Sequence, residues 1–178
     1  MSEAEETKSV HRHRQSAPRN LVAAVITVSD TRTLETDTGG ALLVELLEKA
    51  GHRIALRRLV PDDAQAIRAR AGEALSHPEV QAVLLTGGTG VAPRDVTPEA
   101  LAPLLERELP GFGELFRMLS FEEIGPAAML SRAVAGMVGD KVVFALPGSR
   151  GALRTAMTRL ILPELGHLVG EGGKRGPA

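Results

Sequence analysis

Gln81-Ala82-Val83-Leu84-Leu85-Thr86-Gly87-Gly88-Thr89-Gly90 decides the fold: an unbroken apolar run empties into three glycines within four positions. An apolar run without alternation suits a strand buried on both faces, and such strands belong to parallel sheets covered by helices. Glycines after it let the chain turn tightly and bring backbone N–H groups close to a phosphate. It is not a Walker A loop, because no Gly-Lys-Ser/Thr follows. Nor is it the dinucleotide fingerprint, because Pro93 stands where the third glycine belongs. A ligand-free strand-exit turn explains the pattern equally well, so both readings stay open at this point.

Outward from this stretch, strands and helices alternate. Residues 21–28 form a second apolar run rich in Val and Ile, and residues 41–50 place Leu42, Leu43, Leu46 and Leu47 at helical spacing. Residues 53–60 read as a more exposed strand interrupted by arginines, and residues 63–76 as a helix. Thr97-Pro98-Glu99 predicts a helix start with a hydroxyl cap, Pro at the first position and an acid in the first turn. Residues 110–130 predict short helical pieces broken at Gly111, Gly113, Gly125 and Pro126. Residues 132–137 and 141–146 predict two strands joined by Val138-Gly139-Asp140 as a hairpin, and Ser149 caps a last helix running towards Leu162. The expected fold is α/β and three-layered: a mostly parallel sheet, helices on both faces, and one antiparallel strand from the late hairpin.

Residues 1–19 are polar and without periodicity, which predicts a disordered tail; within it His11-Arg12-His13-Arg14 reads as a solvated patch. Residues 20–165 are expected to be the folded domain and residues 166–178, rich in glycine, a flexible tail. No Cys is present, which excludes disulfides, thiolate metal sites and a cysteine nucleophile. Neither a secretory h-region nor a run near the ~20 apolar residues of a membrane span occurs, so a cytoplasmic protein without a membrane partner is expected. A net charge of −1, with aromatics at 2% and all of them Phe, argues against nucleic acid as a partner.

Right-handed crossovers place every strand-to-helix loop on one edge of a parallel sheet, where ligands bind. That edge collects Ser29 and Asp30, Asp62, the loop of Gly87, Gly88, Thr89 and Gly90 with Asp95, and Pro147-Gly148-Ser149; at the first helix, Asp37 with Gly39 and Gly40 suits either an anion or plain cap and turn chemistry. Asp62 and Asp95 are candidate Mg²⁺ ligands, since Mg²⁺ takes one or two carboxylates together with substrate phosphates. An Asp before a helix is also the usual N-cap, and the spacing alone leaves Asp62 open between the two roles. Ser131-Arg132 could offer a hydroxyl and a cation to a phosphate, or simply begin a strand. The apolar block of Phe112, Leu115, Phe116, Met118, Leu119 and Phe121 is either local core or a subunit interface.

In order along the chain, TVSD, DTGG, TGGTG with PRD, TPEA, ELPGFGELFRMLSFEEIG, LSRAVAG and LPGS resemble the MoaB/Mog family of molybdenum cofactor biosynthesis. The resemblance spans roughly residues 20–165, and the block around Phe112 is most similar to the MoaB branch. It implies Mg²⁺- and ATP-dependent adenylylation of molybdopterin with release of pyrophosphate, in a homotrimer or a hexamer of two trimers. It also points to the molybdate-insertion enzyme as a partner. Transferred by motif, the two critical carboxylates fall on Asp62 and Asp95, and the pterin and nucleotide loops on Ser29, Asp30, residues 87–90, Ser131, Pro147, Gly148 and Ser149. Some MoaB-branch members lack adenylylating activity and depart from the pattern near the first carboxylate; Val60-Pro61-Asp62-Asp63 keeps it. A non-catalytic molybdopterin carrier of the same fold is the competing expectation.

Overall fold

The central strands owe their continuous apolar character to two separate cores, one on each face of the sheet. The computed structural model describes residues 18–174, so the expected tail up to position 17 lies outside the described residues. Its strands are β1 (Val22–Val28), β2 (Arg53–Val60), β3 (Ala82–Thr86), β4 (Arg107–Glu108), β5 (Val134–Val138) and β6 (Lys141–Leu146). They form one sheet in the order β2-β1-β3-β6-β5-β4. Pairing is parallel from β2 to β6, and β5 alone runs against its neighbours. The expected α/β sheet with one reversed strand is therefore the observed one.

The helices are α1 (Thr38–Lys49), α2 (Ala64–Ser76), α3 (Thr97–Leu101), α4 (Pro110–Ile124), α5 (Arg150–Thr155) and α6 (Leu162–Gly172). Alternate strand residues serve opposite faces. Ala23, Val25, Leu84 and Phe144 meet Leu43 of α1, Phe116 of α4 and Leu153 of α5, while Ala24, Ile26, Leu85 and Val143 meet Ile67 of α2 and Leu101 of α3. β2 has only β1 as a neighbour, and as an edge strand it tolerates Arg53, Arg57 and Arg58. The two-residue β4 has no apolar pattern at all, which is why the sequence did not reveal it.

Three local expectations are corrected. Residues 110–124 are one continuous helix rather than pieces broken at Gly111 and Gly113, and the chain leaves it only at Gly125. Gly113 is there for clearance: a Cβ at this position would come within 2.8 Å of the Ala133 carbonyl oxygen. The last helix does not fray from Gly166; of the expected tail, residues 175–178 lie outside the described residues. After α5 a π-helical segment (Ala156–Ile161) leads into α6, and α6 holds on to Gly172 because Leu165 and Val169 are buried against the sheet. Thr97 is not a cap; it is the first residue of α3, and its side chain bonds elsewhere.

The two α4 glycines should respond in opposite directions. Gly111 has open space around it, so Gly111→Ala gains helix propensity and stabilises by roughly 0.5 kcal/mol. At Gly113 the same gain is outweighed by the clash with a backbone oxygen, and Gly113→Ala costs about 1–3 kcal/mol. Urea denaturation of the two variants checks the signs.

Candidate functional site

Four strand-to-helix junctions and the start of β5 meet at one sheet edge, stitched by main-chain hydrogen bonds. The Ser29 amide donates to the Val60 carbonyl at 2.8 Å, the Gly87 amide to the Leu146 carbonyl at 3.0 Å, and the Arg132 amide to the Thr89 carbonyl at 3.0 Å. Thr86 Oγ1 donates to the Pro147 carbonyl at 3.0 Å. Thr97 closes the turn by donating Oγ1 to the Gly87 carbonyl at 2.9 Å and its amide to the Gly88 carbonyl at 3.0 Å.

At the centre is the Gly87-Gly88 turn, with φ of +105° and +62°. A Cβ on Gly87 would lie 2.2 Å from the Val28 carbonyl oxygen, and one on Gly88 would lie 2.8 Å from Asp62 Oδ1. No side chain fits either place. Gly148 lies on the other side of Gly87, and Gly39 against the Gly148 carbonyl. A cavity of about 270 Å³ opens there, lined in part by Thr27, Ser29, Arg32, Gly39, Gly87 and Gly148. The amides of Gly88, Thr89 and Gly90 donate no hydrogen bond among the described residues.

The two readings of Asp62 are separated by its neighbour. Asp63 caps α2, accepting the Ala66 amide at 2.8 Å, which leaves the Asp62 carboxylate uncommitted. Asp62 Oδ1 is shielded from solvent and has no hydrogen-bond partner. Burial, and then the charges of Asp30 and Asp95, push its pKa above the ordinary value of 3.8, with Arg94 opposing them. Asp30 Oδ1 accepts the Asp62 amide at 3.0 Å. Asp95 packs its Oδ2 against Gly90 and accepts the Ala92 amide at 2.9 Å.

Hard oxygen donors and an unpaired, shielded carboxylate oxygen suit Mg²⁺. Among the described residues no three acidic or imidazole groups converge on a metal position.

Asp37 is a different case. It is buried, caps α1 through the Gly40 amide at 2.8 Å, accepts Thr27 Oγ1 at 2.8 Å and pairs with Arg57 at 3.0 Å. Its oxygens are spent on the scaffold, so it joins the site only as a support. Ser149 likewise caps α5, accepting the Ala152 amide at 3.4 Å. Ser131 keeps a shielded hydroxyl without a partner, as a ligand-binding group would. Arg132 does not offer its cation outward. It donates to the carbonyls of Gly90, at 2.7 Å, and Asp95, and pairs with Glu99. Neither this brace nor the reach of Arg57 was evident from the sequence; Thr27, a hydroxyl in a buried apolar strand, was the available signal for the second.

The sequence model of the family described as "Probable molybdopterin binding domain" matches residues 24–167. The chain belongs to this family. It is 52% identical over 164 residues to the molybdenum cofactor biosynthesis protein B of Bacillus subtilis strain 168, covering 92% of this chain and 96% of that protein. Among solved structures, a molybdenum cofactor biosynthesis protein B superposes with a TM-score of 0.87 at 50% identity, over 90% of this chain and all of its own (100%). The tungsten cofactor synthesizing protein MoaB from Pyrococcus furiosus superposes with a TM-score of 0.80 at 37% identity, over 89% and 100% of the two chains.

Within this molybdopterin-binding fold the two aspartates should behave oppositely. Removing Asp37 strands the donors of Thr27, Gly40 and Arg57, so Asp37→Ala should cost about 2–4 kcal/mol in urea denaturation. Asp62 has a raised folded-state pKa, so its ionisation above that pKa costs stability. Asp62→Asn should therefore raise Tm at neutral pH. The gain should shrink as the pH falls through the raised pKa and vanish below 3.8, where the carboxyl is protonated in both states.

Proposed function

We propose that the chain acts in molybdenum cofactor biosynthesis by adenylylating molybdopterin with ATP and Mg²⁺. The observation that carries this reading is the Asp62 oxygen, shielded and unpaired, against the Gly87-Gly88 turn. An uncompensated carboxylate beside unspent backbone amides suits a ligand that brings both cationic and anionic groups, as a metal–triphosphate does. The names of the relatives agree with the pathway, and the motif resemblance supplies the reaction.

In that reaction an anionic oxygen of the molybdopterin phosphate attacks the α-phosphorus of ATP. One P–O bond forms, the bond between the α- and β-phosphates breaks, and pyrophosphate leaves with the electron pair. The nucleophile is already ionised, so no general base is required, and the protein's task is alignment and charge neutralisation. The amides of residues 88–90 and the Ser131 hydroxyl hold phosphate oxygens, and the cavity at Gly39 and Gly148 receives a neighbouring part of the same ligands. Asp62 and Asp95 would hold Mg²⁺, which neutralises phosphate oxygens that otherwise repel one another.

Assembly follows from α4. Phe116 and Leu119 face the core, and Phe112 packs edge-on against Phe144 at 5.2 Å. Leu115, Met118, Phe121 and Ile124 remain outside, each at least 48% exposed, with Met129 and Leu130 beyond them. This apolar surface is the proposed contact between copies in a trimer or a hexamer.

Two measurements test these proposals. With molybdopterin and Mg·ATP the protein should form pterin-bound AMP, and Asp62→Asn and Asp95→Asn should each reduce kcat by about 10²-fold or more while remaining folded. Pterin binding without any adenylate would instead identify a carrier. In light scattering after size exclusion, Met118→Asp with Phe121→Asp should convert an oligomer to a monomer; an unchanged mass would exclude α4 from the interface.

A further inference from the structure

The loop from Thr89 to Asp95 contains no helix or strand, and a single side chain holds both of its ends. Arg132 sends Nε to the Gly90 carbonyl at 2.7 Å and Nη2 to the Asp95 carbonyl, while Nη1 pairs with Glu99 on α3. Its own amide donates to the Thr89 carbonyl at 3.0 Å. Inside the loop, the Asp95 amide donates to the Ala92 carbonyl at 2.9 Å, and the Ala92 amide to Asp95 Oδ2 at 2.9 Å. The Asp95 carboxylate therefore takes its direction from a small ring of backbone bonds, and that ring hangs from one guanidinium. The hydrogen bond from Arg132 is also what lowers the pKa of Glu99 most, which keeps the partner of the brace ionised.

We propose that Arg132 is the positioning residue of this site, a planar fork that fixes the Asp95 carboxylate and the amides of residues 88–90 in register with Asp62. It touches no reacting atom in this role. Lysine cannot replace it, because one ammonium cannot reach two carbonyls and a carboxylate in a plane. The proposal rests on the reading of Asp95 as a metal-holding carboxylate.

The test uses the full-length protein as wild type, Arg132→Lys, Arg132→Ala and the milder Glu99→Gln, with Asp95→Asn as the comparator. Mn²⁺ binding in the presence of ATP is followed by electron paramagnetic resonance, and amide exchange by mass spectrometry. Both Arg132 variants should bind Mn²⁺ about tenfold more weakly, and Glu99→Gln by about two- to threefold. Exchange should accelerate at Ala92 and Asp95 while the β3 amides stay protected. In the adenylylation assay kcat should fall with the KM for pterin unchanged, and added guanidinium ion should restore part of the loss in Arg132→Ala.

If the variants only melt earlier, with Mn²⁺ affinity and loop exchange as in wild type, Arg132 is ordinary scaffold and the proposal falls. If wild type and variants differ in Mn²⁺ binding as expected but wild type makes no adenylate, the proposed reaction fails and the brace stands. If wild type binds no Mn²⁺, there is no metal-holding carboxylate to position, and both fail.

Discussion

The approach of the Gly87 backbone to the Val28 carbonyl is the constraint on which the rest depends. It joins the end of β3 to the end of β1, and the bond from the Gly87 amide to Leu146 adds the end of β6. Three parallel strands are thus brought together at their C-terminal ends, where the chain must turn outward into helices. Any side chain at this point would push β1 and β3 apart and open the ligand edge. The two cores beneath, one on each face, keep the strands from relaxing away from so tight a junction.

The shielded oxygens at this edge divide into paired and unpaired ones, and among the described residues the further unpaired buried atom is a nitrogen, Arg57 Nε in the scaffold. Asp37, Thr27 and Thr97 are buried and paired, and their bonds run between neighbouring elements. Asp62 and Ser131 sit among the same loops with shielded oxygens left open. A buried polar atom without a partner costs free energy in a folded protein, so its retention points to a group supplied from outside. The electrostatics agree, because Asp62 is crowded by Asp30 and Asp95 with only Arg94 in opposition. A cation would relieve that crowding.

The layer order, the parallel sheet and the reversed strand could be read from the sequence because burial on two faces writes itself directly into apolar runs. The junction residues could be read as a group because topology gathers strand ends. What stayed hidden were interactions between residues distant in the chain. Arg132 resembled a phosphate ligand because a free guanidinium and a committed one look alike in a sequence. Asp37 stood open between ligand and cap, and what settles it as cap and scaffold includes Arg57, on an edge strand where arginine is expected in any case. Asp62 was the cap candidate in the sequence because the helix was read from residue 63; it starts one residue later, and Asp63 takes the cap. In α4 the glycines suggested breaks, whereas one of them serves the passage of β5.

Several of the contacts that shape this edge are made between backbone atoms, from the Ser29 amide through Gly87 and Gly88 to the Arg132 amide. Such a framework protects spacing more strictly than identity. Exposed positions such as Val91 or Arg94 can change chemistry without moving a single main-chain bond. One residue inserted between Ala92 and Arg94 would break the ring at Asp95 and shift the bonds at Thr97 together. Evolution along this loop is therefore expected to proceed by substitution within a fixed length, and a gap there would mark a change of trade rather than drift.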